Sequence, residues 1–178
     1  MPVQPMLAES IDKPTALKRL DDDLWALQQK IDGDRLAVKI ENGKVQYYNR
    51  QGIPYVRRSR MLKPMTEEFT RGNAFEGKWI FDGEFVGNLY FTFDLIHASC
   101  DGNVMVDIDM PFRQRYEMLT RVIKLWQPKK TVLAPTAFTT EEKTATYDRL
   151  YSTDREGVIF RNMESRYLFG VRSPGVQK

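Results

Sequence analysis

The sequence predicts an α+β fold, and three stretches carry that prediction. "RLAVKIENGKVQYYNRQG" reads as two strands joined at Asn42-Gly43, because a two-residue hairpin turn needs positive φ, which Asn and Gly tolerate. "KWIFDGEFVGNLYFTFDLI" is dense in aromatic and β-branched residues. It is broken by Asp82-Gly83 and Gly87-Asn88, which predicts two or more further strands. "MPFRQRYEMLTRVIKLW" sets Phe112, Tyr116, Leu119, Ile123 and Trp126 at spacings of four and three behind Pro111, the pattern of an amphipathic helix. Antiparallel strands with interspersed helices make the α+β class.

The remaining elements follow in order. Residues 1–27 read as irregular chain with one helix in "SIDKPTALKRL", where Ser10 and Asp12 offer caps and Pro14 suits the first turn. "QQKIDGDRLAV", residues 28–38, reads as a hairpin fragment turning at Asp32-Gly33. Residues 60–71 are weakly helical, a second helix covers 140–150, and "EGVIFRN" is a short buried strand. There is no internal repeat, low-complexity tract or linker, so residues 1–178 are taken as one domain.

Composition removes several kinds of chemistry. A chain of 178 residues with 42% hydrophobic and 29% charged residues can bury a substantial core and is not a disordered tail. Cys100 is the only cysteine and His97 the only histidine. That excludes an intrachain disulfide, a cysteine-rich zinc site and a multi-histidine metal site together. Lysine becomes a leading nucleophile by elimination. A net charge of +3 permits a polyanionic partner without demanding one. No apolar run approaches a membrane span and the N-terminus has no signal pattern, so a cytoplasmic setting is expected, bacterial or, for a viral chain, that of the host.

Asp-Gly occurs at 32–33, 82–83 and 101–102, and Glu-Gly at 76–77 and 156–157; taken alone, each is a turn. Their neighbours carry more. "KIDGDR" puts Lys30 at a strand end, "FDGEFV" puts Glu84 on a strand, "FTFDLI" is an aromatic strand, "EGVIFR" is headed by Glu156, and Lys178 ends "RSPGVQK". That set, in that order, resembles the covalent nucleotidyltransferase superfamily of ATP-dependent DNA ligases, RNA ligases and mRNA capping enzymes. The first family motif, Lys-x-Asp-Gly-x-Arg, is met by Lys30, Asp32, Gly33 and Arg35. "PMLAES" is similar to the opening of ligase adenylation domains, and "NRQG" supplies Arg50. The third motif falls on Asp82, Gly83 and Glu84, the aromatic motif on Phe93, the fourth on Glu156, and the fifth begins at Lys178.

The resemblance implies a ligase-like nucleotidyltransferase fold of antiparallel sheets flanked by helices, with a nucleotide cleft between them. A C-terminal OB domain would normally follow and is not within these 178 residues. It implies ATP as cofactor with Mg²⁺ or Mn²⁺, nicked duplex DNA as partner, a monomer, and a place in DNA repair, replication or recombination. Lys30 would attack the α-phosphate and form lysyl-AMP. Only roughly one free lysine amine in a few thousand is uncharged at pH 7. Arg35, Lys178 and a divalent metal are the cations expected to favour the uncharged form. Gln28, Ile31, Arg35, Arg50, Glu84, Phe93, Glu156 and Lys178 would bind nucleotide beside Lys30, with Glu84 and Glu156 as metal ligands and Phe93 stacked on adenine. Gln28 stands where cellular DNA ligases often have an acidic residue; its amide oxygen can still accept from the adenine amino group.

Plainer readings stand beside these. Phe93 suits a core, the glutamates suit turns, and Arg35 and Arg50 suit exposed strands. His97 reads as a polar strand-end residue and Cys100 as a thiol without a role. The helix at 111–126 carries Arg113, Arg115, Arg121 and Lys124 on a basic outer face. "YVRRSR", with Arg57, Arg58 and Arg60, is the densest basic cluster and the candidate duplex contact. Two rivals remain: a GTP-specific capping enzyme or RNA ligase, and a non-enzymatic nucleic-acid-binding module.

Overall fold

The computed structural model describes residues 3–56, 59–73, 75–153 and 157–178. Two sheets face each other, each covered on its outer side by helices. The five-stranded sheet has the order β1 (Leu7–Glu9), β11 (Arg172–Gln177), β10 (Val158–Asn162), β2 (Trp25–Gln29) and β9 (Thr136–Ala137). The six-stranded sheet runs β4 (Lys44–Tyr48), β3 (Asp34–Glu41), β5 (Lys78–Val86), β6 (Leu89–Cys100) and β7 (Asn103–Val106), with β8 (Thr131–Leu133) paired parallel to β6. The helices are α1 (Lys13–Leu20), α2 (Ser59–Thr70), α3 (Phe112–Trp126) and α4 (Thr140–Ser152).

The period-two pattern of β3 explains why the sheets stack. Leu36, Val38 and Ile40 join the large core with Phe69 of α2 and with Phe112 and Leu119 of α3. Ala37 points the other way and packs with Ile80, Ile96, Tyr167 and Val176 between the two sheets. A third cluster, Leu20, Trp25, Leu27, Ala137 and Phe160, seats α1 and α4 on the five-stranded sheet.

Local signals did their expected work at the helix ends. Asp12 accepts from the Thr15 N–H at 2.9 Å and caps α1; Ser10 is not the cap. Thr139 and Glu142 form a reciprocal capping box on α4. Lys143, fully buried on α4, donates to the carbonyls of Arg19 in the last turn of α1, Asp22 in the loop after it and Trp25 at the start of β2, which ties α4 to that corner. Asn42 and Gly43, at φ 52° and 71°, turn β3 into β4 as expected.

Four expectations are corrected. First, Asp32-Gly33 does not close a hairpin: β2 and β3 lie in different sheets, and the segment is the crossover between them. Gly33 is needed for close approach, since a Cβ there would stand 2.5 Å from the Phe85 carbonyl. Second, Asp82-Gly83 does not break a strand. β5 runs through it, and a Cβ on Gly83 would lie 2.4 Å from the Phe91 carbonyl and 2.6 Å from the Tyr90 ring. Third, residues 1–27 hold β1 and the start of β2 as well as the helix. Fourth, Arg115 is not on a basic outer face. It is fully buried and holds Asp94 through Nε and Nη2, each at 2.9 Å, because α3 turns that side chain toward β6. Arg113 and Arg121 remain exposed.

Candidate active site

A cleft lies between the facing surfaces of the sheets. Ala8, Gln28, Gln29, Ile159, Arg161 and Val176 line it from the five-stranded side, and Arg35, Glu84 and Phe93 from the six-stranded side. Met6, Leu7, Lys30, Ile31, Arg50 and Lys178 complete the lining. Eight of the expected site residues therefore meet in one place: Gln28, Lys30, Ile31, Arg35, Arg50, Glu84, Phe93 and Lys178. Glu156, Arg57 and Arg58 lie outside the described residues. Arg60 is exposed on α2 and is not part of the cleft.

Lys30 follows β2 directly, and its backbone N–H donates to the Gly157 carbonyl at 3.1 Å. The crossover that carries the lysine is thus tied to the head of β10. Lys30 and Lys178 both also line a second groove between α1 and α4, so they stand where the two depressions meet.

Arg35 and Glu84 are register partners across β3 and β5, and Asp82 lies two residues along on the same face. Arg35 grips the fully buried Asp82 with Nε and Nη2, each at 2.8 Å. Its charge is therefore largely offset. The sequence placed this guanidinium against phosphate and lysine; in the fold its nearest charge is a carboxylate. Its guanidinium carbon lies over the Phe93 ring, 4.5 Å from the centroid.

Phe93 owes its placement to a bulge. β5 and β6 pair Gly83 with Thr92 and Asp82 with Asp94, so Phe93 is the extra residue without a partner. A bulge bends its strand and re-aims the side chain there. The ring is in the cleft, not in the main core.

Glu84 is the most perturbed acid in the cleft. Burial pushes its carboxyl up to about 7, against the pull of Arg35; Asp82 pushes it further up, and Lys30 and the Gly33 backbone draw it down. Gln28 is buried and donates through Nε2 to Thr136 Oγ1 at 3.0 Å. The Thr136 hydroxyl is itself spent on the Ala134 carbonyl, so it can only accept from Gln28. That fixes the amide orientation and leaves Gln28 Oε1 as an acceptor.

Three residues in or behind the cleft wall escaped full sequence reading. Asp82 was read as part of the third motif but given no role of its own. Arg161 ends a run that reads as buried strand, and a charge there was the available signal; it pairs with Asp94 and stacks on Phe112 at 4.4 Å. Among the described residues its Nε has no acceptor. Tyr167, in the β10–β11 connection, had no local signal at all. Among the described residues no three His, Cys, Asp or Glu side chains group to hold a metal. A hard cation here would rest on Glu84 and the ligand's own oxygens, which suits the one or two carboxylates typical of Mg²⁺.

The family model described as ATP dependent DNA ligase domain matches residues 5–89 and 86–178, which together take in almost the whole chain. The chain belongs to this family. No match was found among curated protein sequences. Among solved structures, the ligase domain of M. tuberculosis LigD superposes with a TM-score of 0.75 at 21% identity, covering 99% of this chain and 60% of that one. Chlorella virus DNA ligase-adenylate gives 0.66 at 18% identity, covering 100% and 67%. The ATP complex of bacteriophage T7 ATP-dependent DNA ligase gives 0.62 at 14%, covering 98% and 68%. At these identities the likeness establishes the fold. This ATP-dependent DNA ligase domain spans about 60% of the LigD ligase domain's length. No helix among its described residues is long and apolar enough to cross a membrane.

Proposed function

We propose that the chain is the adenylation domain of an ATP-dependent DNA ligase, residues 1–178 forming the unit, with Lys30 as its nucleophile. The observation that carries this reading is the convergence of eight expected site residues from both sheets in one cleft. Lys30 Nζ forms a bond to the α-phosphorus of ATP, the bond to the β-phosphate oxygen breaks, and pyrophosphate leaves with the electron pair. The AMP then passes to the 5′-phosphate of a nick, and the 3′-hydroxyl displaces it to seal the strand.

The chain's own residues bind and orient. Phe93 offers a ring face to the base, worth roughly 1–3 kcal/mol in stacking. Gln28 Oε1 accepts from an amino group, which suits adenine; guanine presents an acceptor at the corresponding place. Lys178 and Arg50 bring positive charge to the phosphates. Mg²⁺ or Mn²⁺, held by Glu84 and by Glu156, would supply charge neutralisation at the phosphates when bound. Nicked duplex DNA is the substrate of this reading, with Arg57, Arg58 and Arg60 as backbone contacts.

Incubation with α-labelled ATP or GTP and Mg²⁺, followed by mass spectrometry, tests it. The expected result is AMP on the Lys30 peptide, no label from GTP, and none in Lys30→Ala. Label from GTP alone would move the chain to the capping enzymes. No label from either nucleotide would leave a non-enzymatic binding module.

A further inference from the structure

Arg35 and Asp82 belong to a closed ring of hydrogen bonds that reaches well outside the motifs. Tyr167 donates its hydroxyl to Asp82 Oδ2 at 2.6 Å. The Met6 N–H donates to that same phenol oxygen at 2.9 Å. The Met6 carbonyl accepts from Arg35 Nη2 at 3.3 Å, and Arg35 returns to Asp82. The four members come from the segment before β1, from β3, from β5 and from the β10–β11 connection.

Each bond in the ring removes one freedom. A carboxylate gripped only by an arginine can still tilt with it as a pair. A third bond to the carboxylate, accepted at Oδ2 from a ring packed at 1% exposure, fixes the carboxylate plane. The phenol is in turn fixed by a backbone N–H, and Arg35 by the carbonyl of the same residue. Burial first, and Asp82's charge second, push the Tyr167 hydroxyl well above its usual value, so it stays a donor. Tyr167 does not itself line the cleft, whereas Met6, Arg35 and the Phe93 ring beneath Arg35 all do.

We propose that Tyr167 is the positioning residue of the nucleotide cleft: through Asp82 it holds Arg35 over Phe93, and through Met6 it sets the N-terminal wall. This rests on the nucleotide-binding reading above. With that hydroxyl removed, Asp82 and Arg35 swing together, the guanidinium slides across the ring on which the base must stack, and the Met6 wall loosens. Affinity for the nucleotide falls, while the lysine, anchored to the head of β10 through its own backbone N–H, is spared.

The test is the initial rate of label transfer from α-labelled ATP against ATP concentration, in the full chain and in Tyr167→Phe, which keeps the ring. We expect KM to rise at least five-fold with kcat within two-fold, and the Arg35 Nε–H resonance to shift and exchange faster with water. Phe169→Leu, which trims a ring 5.3 Å from Tyr167, controls for packing: it lowers Tm without moving KM. The wild-type chain gives a check that needs no variant, because ATP should shift the Tyr167 hydroxyl and Arg35 Nε–H resonances together. A folded Tyr167→Phe chain with unchanged KM and an unchanged Arg35 signal, or wild-type resonances indifferent to ATP, overturns the inference. A wild-type chain that takes no label instead defeats the functional reading.

Discussion

Asp94 and Arg115 meet through two bonds of 2.9 Å with neither side chain touching solvent, and Arg161 closes on the same carboxylate from β10. This triad joins β6, α3 and the cleft strand β10. Burial alone would raise the Asp94 carboxyl; Arg115 and Arg161 more than reverse that and hold it below its ordinary 3.8. Its stabilising contribution is therefore complete above that ordinary value and is lost as the pH falls toward the lower folded value. Asp94→Ala leaves two guanidiniums buried without their anion and should cost about 3–5 kcal/mol. Urea unfolding at pH 7 measures this, and a loss below 1 kcal/mol would contradict it.

Glu84 has the opposite sign. Its folded carboxyl stands at about 7, above the ordinary 4.5, so the folded chain holds a proton that the unfolded chain has released. Stability from this group falls as the pH rises from 4.5 to about 7 and then levels. Glu84→Gln should be the more stable protein at pH 8 by roughly 1–2 kcal/mol after solvent screening. The two proteins should converge below pH 4.5. Melting curves across the range decide it; a variant no more stable than the wild type at pH 8 would contradict the burial argument.

Phe93→Ala removes the stacking face without touching Lys30. A loss of roughly 1–3 kcal/mol of stacking corresponds to a rise of about 5- to 150-fold in KM for ATP. Phe93→Tyr, which keeps the face, should stay near the wild type. The concentration dependence of labelling checks both.

Gly83→Ala adds a methyl where the Phe91 carbonyl stands 2.4 Å away and the Tyr90 ring 2.6 Å away. Neither can withdraw, one being sheet backbone and the other a buried ring bonded to the Leu36 carbonyl. A cost of about 1–3 kcal/mol or more is expected, read by urea unfolding. Gly102→Ala in the β6–β7 turn meets no atom of the described residues within 4 Å but sits at φ +78°, so its smaller loss comes from backbone strain.

The three Asp-Gly pairs mark how far sequence reading reached. Asp101-Gly102 is the turn that local chemistry predicts, with both φ positive. Asp32-Gly33 and Asp82-Gly83 have the same composition but are glycines of close packing, and the atoms that require them are far along the chain. Helices α1, α3 and α4 were readable because capping and periodicity act within a few residues. The burial of Arg115 was not readable, since a basic helix face looks the same whether or not a buried aspartate waits opposite it.

By itself the sequence determined the α+β class, the turn at Asn42-Gly43, the helix caps and the ordered motifs that mark a ligase domain, because spacing and short-range sterics are properties of the chain. Tertiary structure alone decided that Phe93 is the bulged residue under Arg35, that Asp82 claims Arg35's charge, and that Arg161 lines the cleft while Tyr167 stands behind it. Those facts depend on which strands pair, in what register, and on which buried charges find an opposite one across distances of tens of residues.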